Sequence, residues 1–255
     1  MNPRAIWTLA VTIVLTTLEG VAVLTISRLL PSRWGFEPLF RSWSRGILAA
    51  AGARLAIHRT ASLPPGENYF LVGNHQSVMD IPAIAVAMRG RVRFMAKKSL
   101  FHIPMLGWSM RSAGFVPIDR SSARRAKTAV DAMLKRLRHR PVSIVVFPEG
   151  TRTSDGALQP FKRGAMQVCR RSGLPVVPFA IEGAFQVHRP RTWRIRPGPI
   201  QLWLGEPMSS TEVQRLSPDE LARRVREEVA RLLAEARRTA PVDNSAVATS
   251  WGGTA

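Results

Sequence analysis

The chain has 255 residues, 45% of them hydrophobic and 21% charged. That excludes a disordered or collagen-like polymer and suits one large domain or two small ones. Its single cysteine, Cys169, excludes a disulfide framework and any cysteine-based zinc site. Lys and Arg number 37 against 17 Asp and Glu, a net charge of +20. The excess is uneven: residues 89–171 hold 19 basic and 4 acidic side chains, whereas 211–240 hold 7 and 6. A concentrated basic region calls for an anionic partner, whether nucleic acid, an anionic membrane or a phosphorylated substrate.

Residues 5–26 form an apolar run between Arg4 and Arg28. As a helix the run would cross a hydrocarbon core of ~30 Å. It is too long for the apolar core of a signal peptide, and no small-x-small cleavage site closes it. At 100° per residue Thr8, Thr12, Thr16 and Glu19 share one side, so the helix carries a polar stripe. A second helix is predicted over 39–55, with Leu39, Trp43, Ile47 and Ala50 on one face and Arg41 and Arg45 opposite. Such a basic amphipathic helix with a tryptophan suits a membrane surface. The plainer alternative is a pair of core-packing helices. Whether the first helix would span the bilayer or lie on it stays open.

After the turn Leu63-Pro64-Pro65-Gly66 the pattern changes to short apolar strands alternating with helices. Strands are predicted at 69–72, 92–95, 115–118, 143–147, 176–181 and 200–204, and helices near 82–88, 103–111, 123–138, 164–171 and 218–238. This alternation predicts an α/β fold, a mostly parallel sheet flanked by helices, with ligands at the carboxyl ends of the strands. The organisation expected is N-terminal membrane-binding helices over 1–60, an α/β domain over 61–240 and a disordered tail over 241–255.

Four segments carry candidate chemistry. The first strand runs into Asn74-His75-Gln76-Ser77-Val78-Met79-Asp80. Five residues apart, His75 and Asp80 would point about 140° away from each other on a straight helix. They meet only if His75 lies in a loop and Asp80 opens the next helix, where the helix dipole favours a negative charge. Asp80 would then hold one imidazole nitrogen and leave the other to accept a proton. Taken alone, the pair also fits a satisfied structural histidine. The second segment, Phe147-Pro148-Glu149-Gly150-Thr151-Arg152, puts a turn, a hydroxyl and a guanidinium fork at a strand end, equipment for gripping phosphate or an ordinary polar turn. The third, Gly114 to Arg120, delivers Arg120 to the same edge; the fourth, Val176-Val177-Pro178-Phe179, reads as core strand.

In order and spacing these four segments resemble the four blocks of the glycerolipid acyltransferases, most closely the bacterial type of 1-acylglycerol-3-phosphate acyltransferase. The resemblance covers about residues 67–206. It implies that His75 and Asp80 are catalytic and that Glu149, Gly150, Thr151 and Arg152 belong to the glycerol phosphate-binding block. Arg120 and Lys97 or Lys98 inherit roles in holding the anion. The implied reaction moves an acyl chain from acyl-CoA or acyl-acyl carrier protein to the sn-2 hydroxyl of a lysophospholipid acceptor. A thioester is already activated, so no metal or other cofactor is expected, and neither Ser77 nor Cys169 needs a nucleophilic role. Cys169 reads instead as a small buried hydrophobe.

A nucleic-acid binder would explain the basic stretch, but few aromatics interleave it and no reading motif appears, so nucleic acid is not an expected partner. A non-catalytic membrane scaffold would need none of the four segments. Another lysolipid, such as lyso-ornithine lipid, is the rival acceptor. Arg124, Arg125, Lys127, Lys135, Arg136 and Arg138 read either as a solvated helix face or as a contact to anionic membrane lipid. Basic segments stay cytoplasmic and the thioester donors are cytosolic, so the expected location is the inner or plasma membrane, with the domain on its cytoplasmic face.

Overall fold

The computed structural model describes residues 2–29, 36–64, 66–118 and 142–239. Arg120, the helix expected over 123–138 with its basic residues, and the tail over 241–255 lie outside the described residues. Seven strands form one sheet: β1 (Ala53–Arg59), β2 (Phe70–Gly73), β3 (Val92–Lys97), β4 (Val116–Ile118), β5 (Ser143–Val146), β6 (Val176–Glu182) and β7 (Gly198–Leu204). Their order is β1-β7-β6-β2-β5-β3-β4. The five strands from β6 to β4 are parallel, whereas β7 meets β6 antiparallel and carries β1 parallel to itself.

The pleat sorts the core into two layers. Leu71, Val145, Val177 and Phe179 face a layer that includes Phe40, Ile47 and Ile84. Phe70, Val72, Ile144 and Val146 face Met166, Val225, Val229 and Leu232 on the other side. The first layer is covered by α2 (Phe36–Ala51) and α3 (Asp80–Ala87), the second by α5 (Arg163–Ser172) and α8 (Pro218–Arg238). α4 (Leu106–Ser112) joins β3 to β4, and α6 (Ala184–Val187) and α7 (Ser210–Arg215) are two short helices. The last helix starts where expected because Ser217 and Glu220 cap it reciprocally and Pro218 fills its first position. Cys169 is fully buried in the second layer, which pushes its thiol well up, as an inert core residue requires.

Three expectations are corrected. The helix predicted over 39–55 ends at Ala51, because Gly52 takes a left-handed conformation (φ +69°) that closes it. Residues 53–59 then leave as β1, pairing with β7 from Ala53↔Gly198 to Arg59↔Leu204, so the sheet begins before residue 60. The helix predicted over 103–111 starts at Leu106. Pro104 holds Ile103 extended, and Met105 sits at φ +59°. The apolar face of α2 is turned inward: Phe40, Ile47 and Leu48 are buried, and the Trp43 indole donates to Thr16 Oγ1 at 3.0 Å. Its burial supports core packing, not the membrane.

The exposed apolar surface belongs instead to α1 (Pro3–Leu29), long and apolar enough to cross a membrane by length and composition. Its polar stripe faces α2, where the Trp43 indole donates to Thr16. Ile13, Val14, Leu18 and Val21 are each more than half exposed on the rest of the helix. The helix is held along its length. Asn2 exchanges two hydrogen bonds with the Ile195 backbone, Leu15 packs at Gly46, and Gly20 abuts Met105 and Ser109. A buried arginine ties α2 to the sheet: Arg93 donates to Glu37 at 2.7 Å, to the carbonyl of Val92 at 2.9 Å and to that of Ala113. Its guanidinium stacks 4.5 Å from the Phe36 ring.

Candidate active site

The chain leaves β2 at Gly73, between β6 and β5. A Cβ at Gly73 would stand 2.2 Å from the Phe179 carbonyl oxygen, so only glycine lets β2 pass β6 this closely. Asn74 then exchanges two 2.8 Å hydrogen bonds with the Ile181 backbone. That clamp fixes where the next residue leaves the sheet.

The next residue is His75, in a loop as expected, and Asp80 is the first residue of α3. His75 Nδ1 lies 2.6 Å from Asp80 Oδ2. The same oxygen accepts from the backbone N–H of Gln76 at 2.7 Å and of Ser77 at 2.9 Å. Asp80 is fully buried, and the His75 side chain is 16% exposed, so the imidazole is the pair's opening to substrate. The imidazole stacks on Phe147 from the end of β5, ring centroids 3.9 Å apart and planes 11° apart. Its main chain is bridged to the following turn by Thr153 N–H, which donates to His75 O at 2.9 Å. The first and second candidate segments are therefore one unit. It lies between adjacent strands whose crossovers, to β3 and to β6, depart in opposite directions, the crevice position where α/β sheets bind ligands.

Glu149 does not stand where a phosphate contact should. It is only 4% exposed, its Oε1 accepts the His75 backbone N–H at 3.2 Å, and its Oε2 is buried without a hydrogen-bond partner. Burial, with the charge of Asp80 adding to it, pushes its carboxyl up to about 8. An acid so shifted keeps in the folded chain a proton that the unfolded chain has released. It therefore costs stability increasingly as pH rises from about 4.5 to about 8, and nothing below that window. Glu149→Gln removes the titration. Denaturant unfolding at a series of pH values should show the variant gaining on the wild type across this window. A pH-independent difference would mean that Glu149 carries no such shift.

The rest of the turn faces outward. Gly150 takes φ +77°, a conformation that favours glycine, and a Cβ there would stand 2.6 Å from Lys162 Nζ. Lys162 thus overhangs the turn, a basic residue that sequence reasoning missed; a Lys-Arg pair before a helix is too common to single it out. Thr151 and Arg152 are exposed. His188 is held below its ordinary range by burial and by the Arg152 charge beside it, and its carbonyl accepts from Ser77 Oγ at 2.7 Å. Lys97 and Lys98 are exposed at the carboxyl end of β3, on the same edge of the sheet. An apolar cavity of about 210 Å³ adjoins the His75–Asp80 loop, lined by Val78, Met79, Leu9, Trp43 and Trp193 among others.

Residues 54–182 match the family model described as Acyltransferase, half of the chain. The chain belongs to this acyltransferase family. The family match places both the His75–Asp80 pair and the turn 147–152 within the shared domain. The chain is 30% identical to the human 1-acyl-sn-glycerol-3-phosphate acyltransferase alpha over 178 residues, 69% of this chain and 62% of that protein. It is 30% identical to the Saccharomyces cerevisiae 1-acyl-sn-glycerol-3-phosphate acyltransferase over 169 residues, 66% and 56% of the two chains. A chloroplastic relative from Brassica napus, 1-acyl-sn-glycerol-3-phosphate acyltransferase BAT2, is 37% identical over 46% of this chain and 33% of its own. The chain thus spans between a third and two thirds of these curated relatives' lengths. Among solved structures, the 1-acyl-sn-glycerophosphate (LPA) acyltransferase PlsC from Thermotoga maritima superposes with a TM-score of 0.79 at 27% identity, covering 92% of this chain and 95% of that one. The expected α/β fold, with an apolar N-terminal helix, is the fold of this acyltransferase.

Proposed function

We propose that the chain is a membrane-bound 1-acylglycerol-3-phosphate O-acyltransferase, moving an acyl group from a thioester to the sn-2 hydroxyl of lysophosphatidate to give phosphatidate. The observation that carries this reading is the His75–Asp80 pair, anchored to the turn of Arg152 and adjoining an apolar cavity. Asp80, held by two backbone donors, engages Nδ1 and leaves Nε2 of His75 to take the hydroxyl proton. The hydroxyl oxygen attacks the thioester carbonyl, the tetrahedral intermediate collapses, and the thiolate leaves and is reprotonated. Donor and acceptor meet directly, so no acyl-enzyme forms. The donor is acyl-CoA or acyl-acyl carrier protein, and the acceptor's leaflet is the cytoplasmic one, where those donors are made.

Membrane attachment rests on α1. A helix docked to the domain from Asn2 to Gly20, about 27 Å of rise, with its polar stripe inward and its apolar side outward, suits lying in the interface rather than spanning it. Val78, 44% exposed, lies on the catalytic loop and lines the same cavity as Leu9 of α1, so an acceptor can approach His75 from the lipid side.

Arg152, Arg120 and the Lys97–Lys98 pair are the groups for the acceptor's phosphate, joined now by Lys162. A charge-assisted hydrogen bond contributes ~1.5–3 kcal/mol. Arg152→Ala should therefore lower kcat/KM for lysophosphatidate roughly tenfold to a hundredfold. It should do far less for a phosphate-free monoacylglycerol. Purified protein, a panel of lysolipids and both thioester donors, with products read by mass spectrometry, tests the whole reading. A wild type that uses monoacylglycerol as well as lysophosphatidate, or prefers lyso-ornithine lipid, would overturn the phosphate acceptor.

A further inference from the structure

The loop between α6 and β7 reads His188-Arg189-Pro190-Arg191-Thr192-Trp193-Arg194-Ile195-Arg196, and nothing in the proposed chemistry uses it. Trp193 is 66% exposed, and all four arginines are exposed. No acidic side chain among the described residues is ion-paired with any of the four. Arg189, Arg194 and Arg196 converge with Gln186 and Thr192 around one surface concavity. The loop is nevertheless built rather than loose. Thr192 donates twice to the Arg189 carbonyl, Arg196 N–H donates to Val187 O at 2.9 Å, and Ile195 is tied at both its N–H and its carbonyl to Asn2.

That last tie joins the loop to the first turn of α1. Trp193 lines the same cavity as Leu9, itself 42% exposed, so its ring stands beside the N-terminal part of the helix. On α4, which packs against α1 at Gly20, Trp108 is also half exposed. An exposed apolar helix with exposed tryptophans on the elements packed against it matches the composition of a membrane–water interface, where indole rings settle at headgroup depth. Arginines beside such a ring reach the phosphates of the same leaflet.

We infer that the loop 189–196 is a headgroup-binding clamp, which seats Trp193 in the interface and holds anionic phospholipid with Arg189, Arg191, Arg194 and Arg196. The inference rests on the membrane-surface reading of α1 and adds lipid selectivity to it: the helix binds any bilayer, and the loop favours an anionic one. It also fixes which way the domain tilts, setting the catalytic loop, linked through Ser77 and His188, towards the lipid.

The test is flotation of the full-length protein with two kinds of vesicle, pure phosphatidylcholine and phosphatidylcholine mixed with phosphatidylglycerol. Each arginine near an anionic surface is worth about fivefold in partition. Replacing all four (Arg189→Gln, Arg191→Gln, Arg194→Gln and Arg196→Gln) should weaken binding to the anionic vesicles more than tenfold and leave binding to neutral ones unchanged. The matching Arg→Lys set, which keeps the charge, should restore binding and controls for folding. Trp193→Ala should weaken binding to both vesicles several-fold. Equal binding of wild type and the glutamine set to anionic vesicles would overturn the inference. If that set also raised KM for acyl-acyl carrier protein, the arginines would be a dock for an acidic carrier instead. Failure of the membrane-surface reading would look different: the wild type would not float with neutral vesicles at all.

Discussion

His75→Ala should lower acyl transfer by ~10²–10⁴-fold, the usual contribution of a positioned general base, with the fold intact. The imidazole is partly exposed and rests on Phe147, so its loss opens a small gap at the surface rather than a hole in the core. Asp80→Asn is the subtler change. The amide oxygen can still accept from Gln76 and Ser77, but the charge that steadies an imidazolium is gone. Because the two residues act as a unit, the double variant should be scarcely slower than His75→Ala alone. Steady-state transfer by the three variants, with circular dichroism and thermal melting beside it, checks this. Near wild-type turnover in His75→Ala, or losses that simply multiply, would remove His75 from the role of base.

Arg93→Ala should cost on the order of 3–5 kcal/mol of stability, the range for breaking a buried ion pair by removing one partner. The side chain is 1% exposed, and its guanidinium satisfies Glu37 and the carbonyls of Val92 and Ala113 while packing on Phe36. Removing it leaves a carboxylate and two or more carbonyls facing a cavity. Glu37 lies in the first turn of α2, so the damage should fall on the docking of α2, and of α1 through it. Denaturant unfolding gives the cost. Limited proteolysis should show new cleavage within residues 2–51 before the sheet is attacked. A melting temperature within a few degrees of wild type would mean that α2 is held by its apolar face alone.

The His75–Asp80 pairing was legible because its geometry is local. Strand, loop and helix start are encoded within about a dozen residues, and Asp80 reaches back to His75 through turn geometry that the spacing already implies. The same holds for β2, β5 and β6, whose apolar runs end in Gly, Pro or charged residues. Glu149 was misread for the opposite reason. Its neighbours in sequence are turn residues, and only the packing of the turn against the His75 loop buries the carboxylate and aims it at a backbone N–H. Arg93 was invisible for a similar reason. An arginine in the middle of an apolar strand has no visible partner until Glu37 and the rings of Phe36 and Phe115 close around it.

By itself the sequence determined the alternation of strands and helices, the capped final helix, the order of the four segments and the existence of two apolar N-terminal helices. These follow from periods of 2 and 3.6 residues and from cap and turn residues, all of which act over a few positions. Only the tertiary structure decided which apolar face is covered. The amphipathic α2 turns its stripe into the core, the polar stripe of α1 closes onto α2, and the remaining side of α1 is left exposed beside Trp193. Likewise β1, with only Leu55 and Ile57 to mark it, becomes a strand because β7 offers an unpaired edge. Burial and strand pairing depend on what a partner distant in sequence presents, and no local pattern carries that information.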